Sequence, residues 1–113
     1  MNEIAAALHR RTCTPCAPGT GALPPEEFRT LLQALPGWEM EGGCIARTFR
    51  FANYHETMAF VNAVAWTSHR QDHHPELLIC YDRCKVTYIT HSIGGLSEND
   101  FICAAKVDAL FQD

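Results

Sequence analysis

Four of the chain's histidines lie between positions 69 and 91: His69, His73, His74 and His91. Imidazole has a free pKa of about 6.5, so near neutral pH it can both give and take a proton. Two such groups, one charged and one neutral, could protonate a departing hydroxyl while removing a proton from a neighbouring nitrogen. Positioned acid–base catalysis of this kind is worth ~10²–10⁴ in rate. It suits a dehydration, which needs no covalent nucleophile.

His69 and His73 are four residues apart, a spacing that brings side chains together on a helix face. His74 precedes Pro75, which disfavours helical geometry at the residue before it. A helix is therefore predicted to end near His74, where the negative end of its dipole favours protonated imidazole. His91 is expected at the end of a strand, just before Gly94-Gly95. A zinc site would need His69, His73 and His91 as three nitrogen donors. Arg70 stands where a His-Glu-x-x-His motif has its general base, and no nearby Cys or Glu completes the set. No metal or other cofactor is expected.

Each of these residues also has a structural role open to it. A histidine at a helix end can be a simple polar cap. Asp100 in Ser97-x-x-Asp100 can complete a capping box. Asp72 can be a solvated residue or a local partner for a charged histidine.

The elements that must carry these groups follow from apolar periodicity. Phe28, Leu31, Leu32 and Leu35 form one stripe behind Pro25, and Pro36-Gly37 ends that helix. Trp38–Met40 and Cys44–Phe51 are expected strands around Glu41-Gly42-Gly43. Asn53 with Glu56 opens a second helix carrying Met58, Val61, Val64, Ala65 and Ser68. Leu77–Tyr81 and Lys85–His91 are a second strand pair across Asp82-Arg83-Cys84. A last helix after Ser97 carries Phe101, Ala104, Ala105, Val107 and Leu110. The order α-β-β-α-β-β-α predicts an α+β fold, with three helices packed on one face of a four-stranded antiparallel sheet. An open sheet edge favours homo-oligomers.

Size and charge bound the function classes. A chain of 113 residues with 47% hydrophobic content supports one packed domain. The net charge of −4 gives no electrostatic basis for binding nucleic acid or anionic membranes directly. No apolar run is long enough to span a bilayer, and a signal peptide's apolar stretch is missing, so a cytoplasmic protein is expected. Residues 1–22 are expected to be an arm, opening on a short helical turn or frayed segment, with the domain running from 23 to 113. Six cysteines in a chain of ordinary core composition are expected as reduced thiols. Cys13-Thr14-Pro15-Cys16 has zinc-ribbon spacing but lacks a second ligand pair, so both thiols are assigned to the loop.

Asp72-His73-His74-Pro75-Glu76, Tyr81, Thr90-His91 and Gly95-Leu96-Ser97-Glu98-x-Asp100 together resemble the pterin-4a-carbinolamine dehydratases in identity and spacing. The resemblance extends through Leu23, Gly37-Trp38, Phe49-x-Phe51 and Val64-Ala65, covering roughly residues 23 to 113. It implies dehydration of 4a-hydroxytetrahydropterin to the quinonoid dihydropterin, recycling the cofactor of aromatic amino acid hydroxylases. It also implies a homodimer or homotetramer and no metal. The histidine pair of the family falls on His73 and His74, its strand-end histidine on His91 and its acidic residue on Asp100. Pro75 and His69 complete the expected substrate-binding set. Many members carry a carboxylate where His69 stands, and some have Arg where Asn99 stands. Animal members also act as dimerisation cofactors of a homeodomain transcription factor. A non-catalytic binding or scaffold protein, or one with a pterin- or molybdopterin-related role, is therefore the alternative.

Overall fold

The computed structural model describes residues 1–17 and 19–111. Pro18 of the expected arm and residues 112–113 of the expected domain lie outside the described residues. The chain opens on helix α1 (Glu3–Arg10), whose first turn is capped by the Asn2 side chain accepting from Ala5 N at 2.8 Å. Ala5 and Leu8, three apart on one face, are buried. Burying a leucine is worth about 1.5–3 kcal/mol, enough to dock this helix on the C-terminal one. A short helical turn or a frayed segment was expected here; the buried apolar face extends it to a docked eight-residue helix, a fourth helix for the fold.

Helix α2 (Pro25–Gln33) begins with Pro in its first position and Glu26 and Glu27 in its first turn, and it stops before Pro36-Gly37. Strands β1 (Glu39–Glu41) and β2 (Cys44–Arg50) pair antiparallel. Gly42 and Gly43 both have positive φ, 58° and 86°, as a tight two-residue hairpin turn requires. Helix α3 (Tyr54–Gln71) starts where Asn53 accepts from Glu56 N at 2.9 Å. Strands β3 (Glu76–Cys80) and β4 (Arg83–Tyr88) form the second hairpin. A 3-10 turn (His91–Ile93) then leads to helix α4 (Glu98–Phe111).

The sheet order is β1-β2-β4-β3, antiparallel throughout. Ile45 lies opposite Tyr88 and Phe49 opposite Cys84, so these four side chains share the core face. Along β4, Cys84, Val86 and Tyr88 are buried while Lys85 and Thr87 are partly open, the alternation of a sheet covered on one side. Helices α3 and α4 pack together and against this face, and α1 packs on α4. The far end of α4 is pinned by Asp108, which accepts from Trp38 Nε1 at 2.9 Å and from the Arg47 guanidinium at 2.8 Å. No helix among the described residues is long and apolar enough to cross a membrane.

Several boundaries differ from expectation. Helix α3 ends at Gln71 rather than near His74, because Asp72 takes the left-handed conformation (φ 51°) that closes the helix before Pro75 acts. The second hairpin turns on Tyr81-Asp82, and Arg83 and Cys84 already belong to β4, Cys84 facing the core opposite Ile79. His91 begins a 3-10 turn instead of ending the strand, and Thr90 and Gly95 bridge its base.

Candidate active site

The exit of α3 is a Schellman closure. Asp72 N donates to His69 O, and His73 N donates to Ser68 O, both at 3.1 Å. These bonds leave His73 just outside the helix but tied to its last turn. The imidazole then lies almost parallel to Tyr88, the buried end of β4, with 8° between planes and 5.7 Å between centroids. The Tyr88 hydroxyl in turn shares a 2.7 Å hydrogen bond with Ser68 Oγ. The two ends of the closure, Ser68 and His73, therefore rest on one tyrosine. Burial pushes the Tyr88 phenol well above its ordinary pKa, so it is a neutral wall.

His73 Nε2 reaches Asp100 Oδ1 at 2.6 Å. The Asp100 side chain is fully buried, which requires that its lone pairs be answered. Oδ2 accepts from Ser97 N at 2.9 Å and from Thr90 Oγ1 at 2.8 Å. Thr90 Oγ1 lies 2.7 Å from Ser97 Oγ. Because an ionised carboxylate only accepts, the Thr90 proton is committed to Asp100, and the Ser97 hydroxyl must donate to Thr90. Likewise Nε2 carries the proton shared with Asp100, leaving Nδ1 as the free nitrogen of His73.

Burial, the largest influence on His73, works to lower its pKa. The hydrogen bond and charge of Asp100, aided by Cys13 and Asp72, outweigh it and hold the imidazole above its ordinary value. Among the described residues no buried side-chain nitrogen or oxygen lacks a partner.

The structure thus brings His73 and Asp100 into contact and connects them through Thr90 to the segment carrying His91. His74 and His91 are exposed, one residue from His73 and Thr90 respectively, and Pro75 is partly buried. His69 does not share a helix face with His73, since the helix ends between them. It is exposed, and its ring sits 6.2 Å from that of Trp66. Among the described residues no group of three His, Cys, Asp or Glu is arranged to hold a metal ion. An open cleft of about 710 Å³ lies elsewhere, beside Phe51, Phe60 and Phe111, and none of the candidate histidines lines it.

Several contributors were not singled out from the sequence. In the sequence Ser68 reads only as part of a helical stripe and Tyr88 only as part of a strand, while Thr90 stands beside His91 but is given no role. Asn99 clamps the N-terminal arm: its Oδ1 accepts from Thr14 N at 3.1 Å and its Nδ2 donates to Thr14 O at 2.7 Å. The position where some family members have Arg thus has a defined task in this chain.

Residues 21–110 match the family described as Pterin 4 alpha carbinolamine dehydratase. A Nitrosomonas europaea protein provisionally named pterin-4-alpha-carbinolamine dehydratase is 59% identical, over 93% of this chain and 94% of its own length. A Dechloromonas aromatica protein with the same provisional name is 52% identical, over 93% and 94%. Among solved structures, a transcriptional coactivator/pterin dehydratase from Brucella melitensis superposes with a TM-score of 0.77 at 34% identity. That match covers 81% of this chain and all of the other. A pterin dehydratase-like protein described as a RuBisCO assembly factor in the alpha-carboxysome gives 0.56 at 25% identity, covering 67% and 88%. The match over residues 21–110 and the shared fold show that this chain belongs to the pterin 4 alpha carbinolamine dehydratase family.

Proposed function

We propose that this chain dehydrates 4a-hydroxytetrahydropterin to quinonoid dihydropterin and water, with the proton transfers carried by histidines. The observation that supports it most is the 2.6 Å contact between His73 Nε2 and the buried Asp100 carboxylate. An imidazole so held stays protonated to higher pH than a free one, with Nδ1–H as its outward donor. We assign that proton to the departing 4a-hydroxyl, which leaves as water. The N5 proton passes to His74 or His91, both exposed. Atoms balance without a cofactor: one hydroxyl and one proton leave, and a C4a–N5 double bond forms. Pro75 and His69 would border the bound pterin.

We place the catalytic unit in residues 23–113, preceded by an arm over residues 1–22 whose helix α1 and residues 11–14 contact α4, and the reaction in the cytoplasm, serving an aromatic amino acid hydroxylase. Strand β3 is a sheet edge carrying Leu78 at 63% exposure, with Tyr81 and Tyr54 stacked beside it. An apolar edge of this kind favours pairing between copies as a homodimer or homotetramer.

The test is direct. Purified protein should accelerate dehydration of a freshly generated 4a-hydroxytetrahydropterin, and His73→Ala should remove on the order of 10²–10⁴ of that acceleration. Wild-type protein no faster than buffer would defeat the enzyme assignment and favour a scaffolding role, such as that described for the RuBisCO assembly factor.

A further inference from the structure

The N-terminal arm brings a second reactive group to the molecule, distinct from the histidines. Cys13 belongs to the extended stretch after α1, while Cys103 sits fully buried on α4, one turn beyond Asp100. Their sulfurs are 3.6 Å apart. The contact is not a chance brush of a loose segment. Cys13 N donates to Gln71 Oε1 at 2.8 Å, and the Asn99 amide clamps Thr14 from both sides. Arg11 adds an ion pair to Glu98 at 2.7 Å.

We propose that Cys13 and Cys103 form a peroxide-oxidisable dithiol, closing to a disulfide that fastens the arm to α4. A disulfide needs its sulfurs at roughly 2.05 Å, so the gap must shorten by about 1.5 Å. Cys13 can supply that movement because it lies outside any helix or strand and is only partly buried. Cys103, held within α4, need not move. The two thiols also differ in character. The Cys103 hydrogen bond, opposed by burial but assisted by the charges of His73 and Lys106, lowers the Cys13 pKa. The same bond, with burial, raises that of Cys103. Cys13 is therefore the thiolate that meets oxidant, and Cys103 keeps its proton until needed.

The steps balance. The Cys13 thiolate attacks one oxygen of hydrogen peroxide, the O–O bond breaks, and the departing hydroxide takes a proton to leave as water. Cys13 is now a sulfenic acid. The Cys103 sulfur then attacks Cys13 Sγ, the S–O bond breaks, and that hydroxide leaves as water with the Cys103 proton. Two thiols lose two electrons, and one peroxide becomes two waters.

Cys16, three residues from Cys13, is the partner that spacing alone would suggest; the geometry selects Cys103 instead. The experiment treats the reduced full-length chain with stoichiometric hydrogen peroxide, blocks remaining thiols under denaturing conditions, and maps tryptic peptides by mass spectrometry. The expected product joins the peptide containing Cys13 to the peptide containing Cys103. It should persist in Cys16→Ser and disappear in Cys13→Ser. Cys103→Ala should instead leave Cys13 as a sulfenic acid that dimedone labels. A Cys13–Cys16 bond with Cys103 alkylated, or a Cys103 cross-link surviving Cys13→Ser, would overturn the proposal. So would full alkylation of both thiols after peroxide. None of these readouts depends on pterin turnover, so failure here leaves the dehydratase assignment untouched.

Discussion

His73 stands between two buried groups of opposite kind, with the Tyr88 ring stacked on its face and the Asp100 carboxylate hydrogen-bonded at its Nε2. The first fixes the plane of the imidazole and the second its tautomer. Orientation and protonation of one side chain are thus set by separate elements, β4 and α4.

Replacing Asp100 by Asn should separate those two controls. The ring would keep its wall but lose the anion that holds its proton, so the His73 pKa should fall when followed by NMR titration. Loss of a charged, fully buried hydrogen-bond centre should also cost about 1–3 kcal/mol of stability. An unchanged His73 titration in Asp100→Asn would show that the carboxylate is not what sets it.

Stability should depend on pH in a direction fixed by the raised His73 pKa. The folded state binds this proton more tightly than the unfolded chain, so the contribution is fully present below about pH 6.5. It is lost as pH rises through the higher folded value. The difference in unfolding free energy between wild type and His73→Gln should therefore shrink as pH rises above about 6.5. If the gap grows with pH instead, the sign of the His73 shift is wrong. A dehydration that uses His73 as its acid should slow over the same interval.

Tyr88→Phe removes only the hydroxyl that meets Ser68. The stacked wall remains, but a buried serine loses its partner. A loss of about 1–2 kcal/mol in urea unfolding is expected, with little change in the His73 titration.

Asp72 is the one non-glycine residue with positive φ among those described. Asp72→Val should destabilise by about 1–2 kcal/mol, the cost of a β-branched side chain in left-handed backbone. Asp72→Gly should be nearly neutral, because relief of strain is offset by the greater freedom of glycine when unfolded, about 0.5–1 kcal/mol. Urea midpoints of the two variants give the comparison.

Asn99→Ala should release the arm without touching the histidines. Amide exchange at Thr14 should quicken, and trypsin should cut after Arg10 and Arg11 more readily than in wild type.

Much of the fold could be read in the chain because its local signals agree. Pro25, Asn53 and the Ser97/Asp100 pair start helices where the structure has them, and Gly42-Gly43 turns the first hairpin. His73 and Asp100 were both named from the sequence. Their contact was not, since twenty-seven residues separate them and only the packing of α3 on α4 closes that gap. The end of α3 was misplaced because Pro75 masked the earlier closure at Asp72, a residue with no glycine to announce it. The N-terminal segment was undervalued for a related reason. Eight residues form a marginal helix alone, and the burial of Leu8 against α4 that stabilises it is a tertiary effect. Asn99 and Thr90 were both noted in the sequence, but their roles were not legible, because their partners Thr14 and Asp100 come from other segments.

The strand order bears on how the molecule assembles. Each hairpin joins neighbouring segments, but the centre of the sheet pairs β2 with β4, which are far apart in the chain and separated by the whole of α3. Closing that pair costs more loop entropy than either hairpin and is expected to limit the folding rate. His73, Tyr88, Thr90 and Asp100 come from the exit of α3, the end of β4 and the start of α4. No single hairpin or helix holds two sides of the imidazole, so proton-transfer competence should emerge only with the last cooperative step of folding and vanish with the first of unfolding.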